Sequence, residues 1–230
     1  MKRTVSNKVS INIVYEDNSI IVIEKPAGTA TQSANVRQSD CVSFIKDHIR
    51  KTDPHISNEP YVGIIHRLDQ PVAGLLVFAK TKKAAALLSS QVQSDIMNKH
   101  YLAMVEGIVD VPEDTELVDL MYKDPQTSMA VIADKKSEAA KLQEARLIYH
   151  TDRIIESQNR TILSIRLITG RFHQIRAQLS HIGHPIVGDK KYGAETSYPR
   201  GIALVADRLE FLHPDTGEKV EKIVDFSFSL

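Results

Sequence analysis

The chain has 230 residues, of which 42% are hydrophobic and 25% are charged. This length and composition favour one globular domain with a sizeable core and exclude a largely disordered protein. Basic and acidic residues number 29 each, so the formal net charge is zero, and the single cysteine excludes an internal disulfide framework and a cysteine-rich metal site.

The N-terminal sequence is basic but lacks the apolar stretch of about 7–15 residues that signal peptides carry. No apolar run approaches the roughly 18–20 residues that a membrane-spanning helix requires. We therefore expect a soluble, cytoplasmic protein. A compact neutral chain of this size is compatible with a monomer.

In chain order, the hydrophobic patterns predict an α+β fold. Strands are predicted at residues 11–15, 20–24, 75–79, 101–105 and 160–168. Helices are predicted at residues 39–51, 82–98 and 173–182. Residues 137–146 are ambiguous, because their Ala, Lys and Glu residues favour a helix but they lead into the strand-like residues 147–149. No linker interrupts the pattern, so residues 1–230 are expected to form one domain.

The segment His66-Arg67-Leu68-Asp69 follows two apolar residues and precedes a turn-prone Gln70-Pro71 pair. In an extended chain, Arg67 and Asp69 lie on the same face. A nearby cation favours an ionised carboxylate, which can act as a nucleophile. The alternative is that Asp69 caps the next element while Arg67 pairs with another acid.

A second segment is rich in basic residues and contains no acid between Glu156 and Asp189. It holds four arginines and three histidines: Arg160, Arg166, Arg171, Arg176, His173, His181 and His184. Such a stretch can present a phosphate-facing surface even on a neutral protein, although ordinary salt bridges would also explain it. The histidine spacing matches no standard zinc signature, so no metal is expected.

Four segments resemble, in order, motifs of the RluA-type pseudouridine synthases. Residues 14–31 (VYEDNSIIVIEKPAGTAT) are similar to the opening hairpin of that family, and residues 66–81 (HRLDQPVAGLLVFAKT) are similar to its catalytic motif. Residues 98–107 (NKHYLAMVEG) resemble the segment that carries a base-stacking tyrosine. Residues 169–193 resemble the last motif, whose arginine pairs with the catalytic aspartate.

The resemblance implies a mixed, mainly antiparallel sheet flanked by helices, with a central active-site cleft. It also implies isomerisation of uridine to pseudouridine in ribosomal or transfer RNA, with the target nucleotide flipped out of its helix. Asp69 would be the nucleophile toward either the base or the sugar, and Tyr101 would stack on the base. Arg176 would pair with Asp69, with Arg171 as the competing candidate. No cofactor is needed.

An RNA partner requires cations and polar groups along the cleft. We expect seven residues to contact RNA: Lys25, His66, Arg67, Lys80, Arg171, His173 and Gln174. Arg67 could fill the space that the flipped base leaves or bind a phosphate. Solvated surface lysines are the alternative for Lys25 and Lys80.

The sequence departs from the family pattern at three points. Val72-Ala73 replaces a common Thr-Ser pair, which we interpret as repacking behind Asp69. Phe172 stands where a small polar residue is common. The first hairpin begins near Ile11, which leaves no room before it for the S4-like RNA-binding module of many relatives. Substrate recognition is therefore expected to rest on the catalytic domain alone.

Two other functions are compatible with parts of this pattern. A hydrolase could use Asp69 with His66, but no paired-carboxylate motif is present to support it. A catalytically silent RNA-binding module could share the fold, but it would not require Asp69, Tyr101 and Arg176 together.

Overall fold

The computed structural model describes residues 11–34, 39–53, 57–133, 141–199 and 201–228. Within them, strands form one eleven-stranded sheet. The strands are β1 (Asn12–Glu16), β2 (Ile20–Lys25), β3 (Gly63–Ile64), β4 (Ala73–Ala79), β5 (Asn98–Glu106), β6 (Thr115–Asp124), β7 (Met129–Ile132), β8 (Gln143–Ile155), β9 (Arg160–Leu167), β10 (Leu204–Leu212) and β11 (Lys219–Ile223). The helices of this part of the chain are α1 (Cys41–Thr52), α2 (Lys82–Gln93) and α3 (Gln174–His181).

The main path of the sheet is β1-β2-β4-β10-β5-β9-β8-β6-β7, with β3 also pairing β4 and β11 also pairing β10. Among the pairings of the described strands, only β4 with β10 is parallel. The expected α+β class, with a mixed and mainly antiparallel sheet, is therefore confirmed. Because β4 and β10 are far apart in sequence, their pairing joins the two halves of the chain beside the loop that carries Asp69.

The β4–β10 pairing depends on the absence of a side chain at Gly74. A Cβ atom placed there would lie 2.2 Å from the carbonyl oxygen of Ala206, and the residue has φ +121°. Both facts require glycine, because a larger residue would clash with backbone and adopt a strained conformation. Gly74 therefore lets β10 approach the chain just after the Asp69 turn.

The central strands are buried on both faces because helices cover both sides. On one face, Ile21 and Phe78 pack in the same core as Ile45 of α1. On the other, Val22 and Val77 share a core with Leu88 of α2. Continuous apolar runs, rather than alternation, are typical of strands covered in this way. No helix of the described ranges is long and apolar enough to cross a membrane.

Helix α2 ends earlier than the sequence predicted. It begins after the Thr81 cap, whose side chain accepts a hydrogen bond from the Ala84 amide at 3.1 Å. It ends at Gln93, and Asp95 adopts a left-handed backbone conformation with φ +55°. The predicted helix through residue 98 is therefore wrong over its last turn, because Asn98 is already the first residue of β5.

The ambiguous segment at residues 137–146 is a strand from Gln143 onward. Residues 137–140 lie outside the described residues, whereas Gln143 begins the long strand β8. Strands β6, β7, β10 and β11 were not predicted. In β6, exposed and partly buried positions alternate, but the apolar Val118 and Leu120 are exposed while Asp119 lies on the inward face, and this reversal hid the strand pattern.

Candidate active site

The loop that carries Asp69 is held in place by the end of the first hairpin. The Thr31 hydroxyl donates to the Leu68 carbonyl at 3.1 Å and accepts from the Leu68 amide at 3.2 Å. The Gly28 amide donates to the Gln70 carbonyl at 2.8 Å. These bonds fix both neighbours of Asp69, so the carboxylate is presented from a rigid turn.

Lys25 belongs to this support, and the prediction that it binds RNA is wrong. Its side chain is fully buried. Its ammonium donates to the carbonyls of Pro26, Thr29 and Gln70 at 3.2, 2.7 and 3.1 Å. Burial lowers the pKa of Lys25 to about 8, although the charges of Cys41 and Asp69 act in the opposite direction. All three ammonium protons have protein acceptors, so none is left for a phosphate.

Arg176 of α3 joins two carboxylates. Its Nε and Nη2 donate to the two oxygens of Asp189 at 2.6 and 2.8 Å, and its Nη1 donates to Asp69 Oδ2 at 3.1 Å. Burial disfavours the charge of Arg176, but the bonds to Asp189 and Asp69 outweigh it and raise the pKa. Of the two candidate partners, the structure therefore pairs Arg176 with Asp69.

Asp189 was missed by the sequence interpretation. It is 1% exposed, and its two carboxylate oxygens accept hydrogen bonds from Arg176 in the bidentate geometry that a planar guanidinium favours. The Arg176 Cζ atom lies 4.9 Å from the centroid of the Tyr192 ring, so the guanidinium packs against this aromatic face. Two signals were available: Asp189 ends the acid-free stretch, and it lies within the last motif at residues 169–193. Together these two residues fix the guanidinium so that one edge faces Asp69.

His173 lies beside the carboxylate rather than at the surface. Its Nε2 is 3.5 Å from Asp69 Oδ2, and its Nδ1 is 2.8 Å from the Tyr192 hydroxyl. Burial lowers the pKa of His173 to about 4, against the opposing charge of Asp69. At neutral pH the imidazole is uncharged. His173 is therefore placed to orient Asp69, and it is not available as a cation for RNA.

Tyr101 projects from β5 into the same cavity and is 5% exposed. Burial raises the pKa of its hydroxyl, and the carboxylates of Asp69 and Asp207 act in the same direction. The side chain is therefore a neutral phenol at physiological pH. It offers a flat ring and a hydrogen-bonding hydroxyl, but it is not a phenolate base.

These groups surround a small cavity of about 80 Å³. Its lining includes Asp69, Tyr101, Arg176 and Val72. Val72 is 3% exposed and forms part of the core, so an aliphatic wall stands where the family commonly has a hydroxyl. A larger groove of about 940 Å³ runs past Asp69 and Tyr101. The arrangement can receive a planar base in the cavity and a polynucleotide along the groove.

Three residues near the mouth of the groove present charge or aromatic surface. Arg67 is exposed and lines both the cavity and the groove. Arg171 also lines them, although its Nε donates to the Glu144 carbonyl at 2.8 Å. Phe172 is 40% exposed and stacks on His173 at 3.8 Å between ring centroids. Arg67 and Arg171 were predicted to contact RNA, and Phe172 adds an exposed aromatic ring beside them.

Gln174 and Lys80 do not lie where RNA contact was expected. Gln174 is 3% exposed, and its amide bonds Thr169, the Arg171 amide, the Arg146 carbonyl and Gln178. The prediction that Gln174 binds RNA is therefore wrong, because its hydrogen-bonding capacity is used internally. Lys80 follows the far end of β4 and bonds Glu16 and the Asp17 carbonyl at 2.6 and 2.7 Å. The structure does not bring it to the groove.

His66 lines the groove through its ring, with its polar atoms turned inward. Its Nε2 meets the Val77 amide at 3.4 Å, and its Nδ1 is buried without a partner among the described residues. Burial lowers the pKa of His66 to about 3, and the charge of Lys99 adds to the effect. His66 is therefore neutral at physiological pH and cannot attract a phosphate by charge.

The depressed pKa of His66 predicts a loss of stability in mild acid. In the unfolded chain the imidazole binds a proton below about pH 6.5, whereas in the folded chain it does so only near pH 3. The unfolded state thus binds more protons in this window, so stability falls as pH falls, by about 1.4 kcal/mol per pH unit. Above the window neither state binds the proton, and the contribution vanishes.

Urea unfolding of the wild type and His66→Phe, measured between about pH 6 and pH 5, tests this linkage. The slope of unfolding free energy against pH should be smaller in His66→Phe by about 1.4 kcal/mol per unit. Above about pH 7 the two slopes should coincide, which serves as the internal control. Equal slopes in the acid range would contradict the neutral, buried state of His66.

Comparison with known proteins gives one consistent result. A family model described as RNA pseudouridylate synthase matches residues 19–181. The chain is 34% identical over 227 residues to ribosomal large subunit pseudouridine synthase D of Nitrosomonas europaea, covering 91% of this chain and 60% of that protein. It is 33% identical over 229 residues to the protein of the same name from Pseudomonas aeruginosa, covering 93% of this chain and 67% of that one. The chain thus spans about 60% to 67% of the length of these relatives.

Two solved structures resemble the fold. Human RNA pseudouridylate synthase domain containing 1 gives a TM-score of 0.74 at 20% identity, covering 94% of this chain and 84% of that one. Human RNA pseudouridylate synthase domain containing 4 gives a TM-score of 0.72 at 19% identity, covering 94% and 88%. At these identities the likeness establishes the architecture alone.

Proposed function

The chain belongs to the RNA pseudouridylate synthase family, and we propose that it isomerises uridine to pseudouridine in RNA. The observation that carries this proposal is the bond from Arg176 to Asp69 at the floor of the cavity that Tyr101 lines. It places a carboxylate, a fixed cation and an aromatic ring around a space suited to one base. Cationic side chains at the mouth of the adjoining groove suit a polyanionic substrate.

In the proposed mechanism the target nucleotide leaves its stack, because a uracil inside a helix cannot present its reacting atoms. Asp69 forms a bond to the base or to the sugar, the bond between uracil N1 and the sugar breaks, and the turned uracil forms a new bond from C5 to the same sugar carbon. The bond to Asp69 then breaks, which regenerates the carboxylate, and in net terms a proton moves from C5 to N1. Arg176 holds the Asp69 carboxylate in place, because its guanidinium is itself fixed by two further hydrogen bonds to Asp189. The carboxylate is thus oriented before the substrate arrives, which reduces the entropic part of the barrier.

Tyr101 is proposed to stack on the detached uracil. Its ring borders the cavity, and its buried hydroxyl stays protonated. A neutral phenol can shuttle a proton only by releasing its own as it accepts another. Tyr101 is therefore proposed as a stacking and hydrogen-bonding surface next to the carbon from which a proton leaves.

The substrate class is proposed to be large-subunit ribosomal RNA, because relatives that align with over nine-tenths of this chain carry that name. Transfer RNA is the alternative. We propose that residues 1–230 act as one catalytic domain, since strands from both halves of the described chain join one sheet. We also propose that the protein is a monomer and acts in the cytoplasm.

Carbodiimide-based pseudouridine mapping of total RNA tests the proposal. RNA from a strain that lacks the gene should lose at least one pseudouridine, and the wild-type gene should restore it. The position of the lost signal identifies the RNA class. If the deletion removes no site and the purified protein modifies no unmodified ribosomal or transfer RNA transcript, the chain would be a catalytically silent RNA-binding module.

A further inference from the structure

Lys99 lies in the groove, and the proposed mechanism gives it no role. It precedes Tyr101 by two residues on β5, so both side chains project from the same face of the sheet. Lys99 is 7% exposed, yet it lines the groove. Among the described residues, no hydrogen-bond acceptor or carboxylate lies within bonding distance of its Nζ.

The contrast with Lys25 shows why this is unusual. Lys25 is also buried, but three carbonyl oxygens accept its protons. Burial lowers the pKa of Lys99, and the charge of Asp95 only partly opposes the effect. The Lys99 Nζ atom still reaches the groove, but a cation that is largely withdrawn from water without a protein partner is costly for the protein. A ligand that supplies the missing negative charge would account for its retention at this place.

The Lys99 ammonium lies close to two other residues of the groove, Gly170 and His66. A Cβ atom placed at Gly170 would lie 3.9 Å from Lys99 Nζ, so the ammonium sits against the turn that precedes Arg171. Its charge also reaches His66, whose pKa it helps to lower. Lys99 therefore faces the groove between the segment before Asp69 and the segment before α3.

We propose that Lys99 binds a backbone phosphate of the RNA strand next to the flipped uridine. The ligand class is a phosphodiester, because a compact ammonium with three unused donors suits a phosphate oxygen. Arg67 and Arg171, which line the same groove, would contact neighbouring parts of that strand. This inference rests on the proposed function and adds a substrate-binding residue to it.

The test compares Lys99→Met with Lys51→Met in the full chain. Methionine keeps the length of the stem and removes the charge. Lys51 lies exposed in the last turn of α1, so its variant is matched in charge and remote from the groove. The probe is a fluorescein-labelled RNA hairpin with a uridine-rich loop, and its affinity is measured by anisotropy at several salt concentrations.

In Lys99→Met the dissociation constant should rise roughly tenfold at low salt. The slope of log Kd against log salt should fall by about one, which only the loss of a phosphate contact produces. Lys99→Arg should keep the wild-type slope, because the charge is retained. Lys51→Met should match the wild type in both measurements. Thermal unfolding should show that Lys99→Met is folded, since the substitution removes a buried charge.

A wild-type salt slope in folded Lys99→Met would overturn the inference. So would a fall in kcat at saturating RNA with an unchanged slope, because Lys99 would then act on the base or the reacting atoms. Failure of the proposed function looks different, since the wild type itself would form no pseudouridine. A protein that binds no RNA hairpin at all would overturn both.

Discussion

Asp69→Asn should abolish pseudouridine formation while leaving the fold and the RNA affinity nearly unchanged. The amide has the same shape as the carboxylate. Its oxygen can still accept the hydrogen bond from Arg176 Nη1, which is 3.1 Å long in the wild-type structure. It has no ionised oxygen with which to form a covalent bond, so the nucleophilic step is lost. Removing a nucleophile lowers the rate by at least roughly 10⁴-fold in well-studied enzymes.

The change in stability should be small for the same geometric reason. The Asp69 side chain is 26% exposed, and Arg176 retains its bidentate partner Asp189. Loss of one partly solvated charge contact should therefore cost roughly 1 kcal/mol or less. Urea unfolding checks that the variant is folded, and anisotropy with the RNA hairpin checks that it binds RNA.

Single-turnover assays on the RNA that the mapping identifies give the rate. Asp110→Asn is the matched control, because it makes the same chemical change at an exposed position outside the cavity and groove. Asp110→Asn should retain wild-type activity. Asp69→Asn with a rate within tenfold of the wild type would show that the carboxylate is not the nucleophile.

The pairing of Asp69 with Arg176 could be predicted because each residue lies in a recognisable sequence motif, at residues 66–81 and 169–193. The order of the motifs brought the two together across 107 positions of sequence. Asp189 lies in the same last motif as Arg176, but the motif assigned it no role. Its role depends on a tertiary contact, in which a turn after α3 folds back onto the guanidinium. Residue type alone could not distinguish it from a surface acid.

Burial explains why the predictions of RNA contact for Lys25 and Gln174 were wrong. Lys25 and Gln174 carry the side chains that RNA-binding sites use, and each lies within a matching motif. Their hydrogen bonds end on backbone carbonyls and on a buried amide that loops, strand β8 and helix α3 bring together. A pattern of residue types cannot show whether a donor meets solvent or protein. The motifs therefore drew attention to Lys25 and Gln174, but they could not show that these residues bond protein groups rather than RNA.

The strands likewise divide into those that a local sequence pattern predicts and those that depend on tertiary contacts. The runs at β2 and β4 are apolar enough to be recognised as strands, because both of their faces are covered. Strand β10 alternates less clearly, since it combines buried residues with Asp207 and Arg208 at an irregularity in its pairing with β5. Its place beside β4 follows from the close approach at Gly74, which a sequence pattern does not encode.

Arg176→Met should destabilise the protein by about 3–5 kcal/mol, because it leaves a buried carboxylate without its cation. Asp189 is 1% exposed, and both of its carboxylate oxygens accept from Arg176. Methionine fills much of the arginine stem, so cavity formation should add little. The loss should therefore come from the stranded charge of Asp189 and be visible as a shift of the urea midpoint.

The double variant Arg176→Met/Asp189→Asn separates the structural part of this contact from its catalytic part. Removing the second charge should restore at least half of the lost stability, because a neutral amide is far cheaper to bury than an unpaired carboxylate. Activity should not return, since Asp69 would still lack the cation that orients it. The single variant Asp189→Asn completes the cycle and gives the coupling free energy between the two side chains. A double variant as unstable as Arg176→Met would show that Asp189 is not the source of the loss. A double variant with wild-type activity would show that Asp69 does not need Arg176 for catalysis.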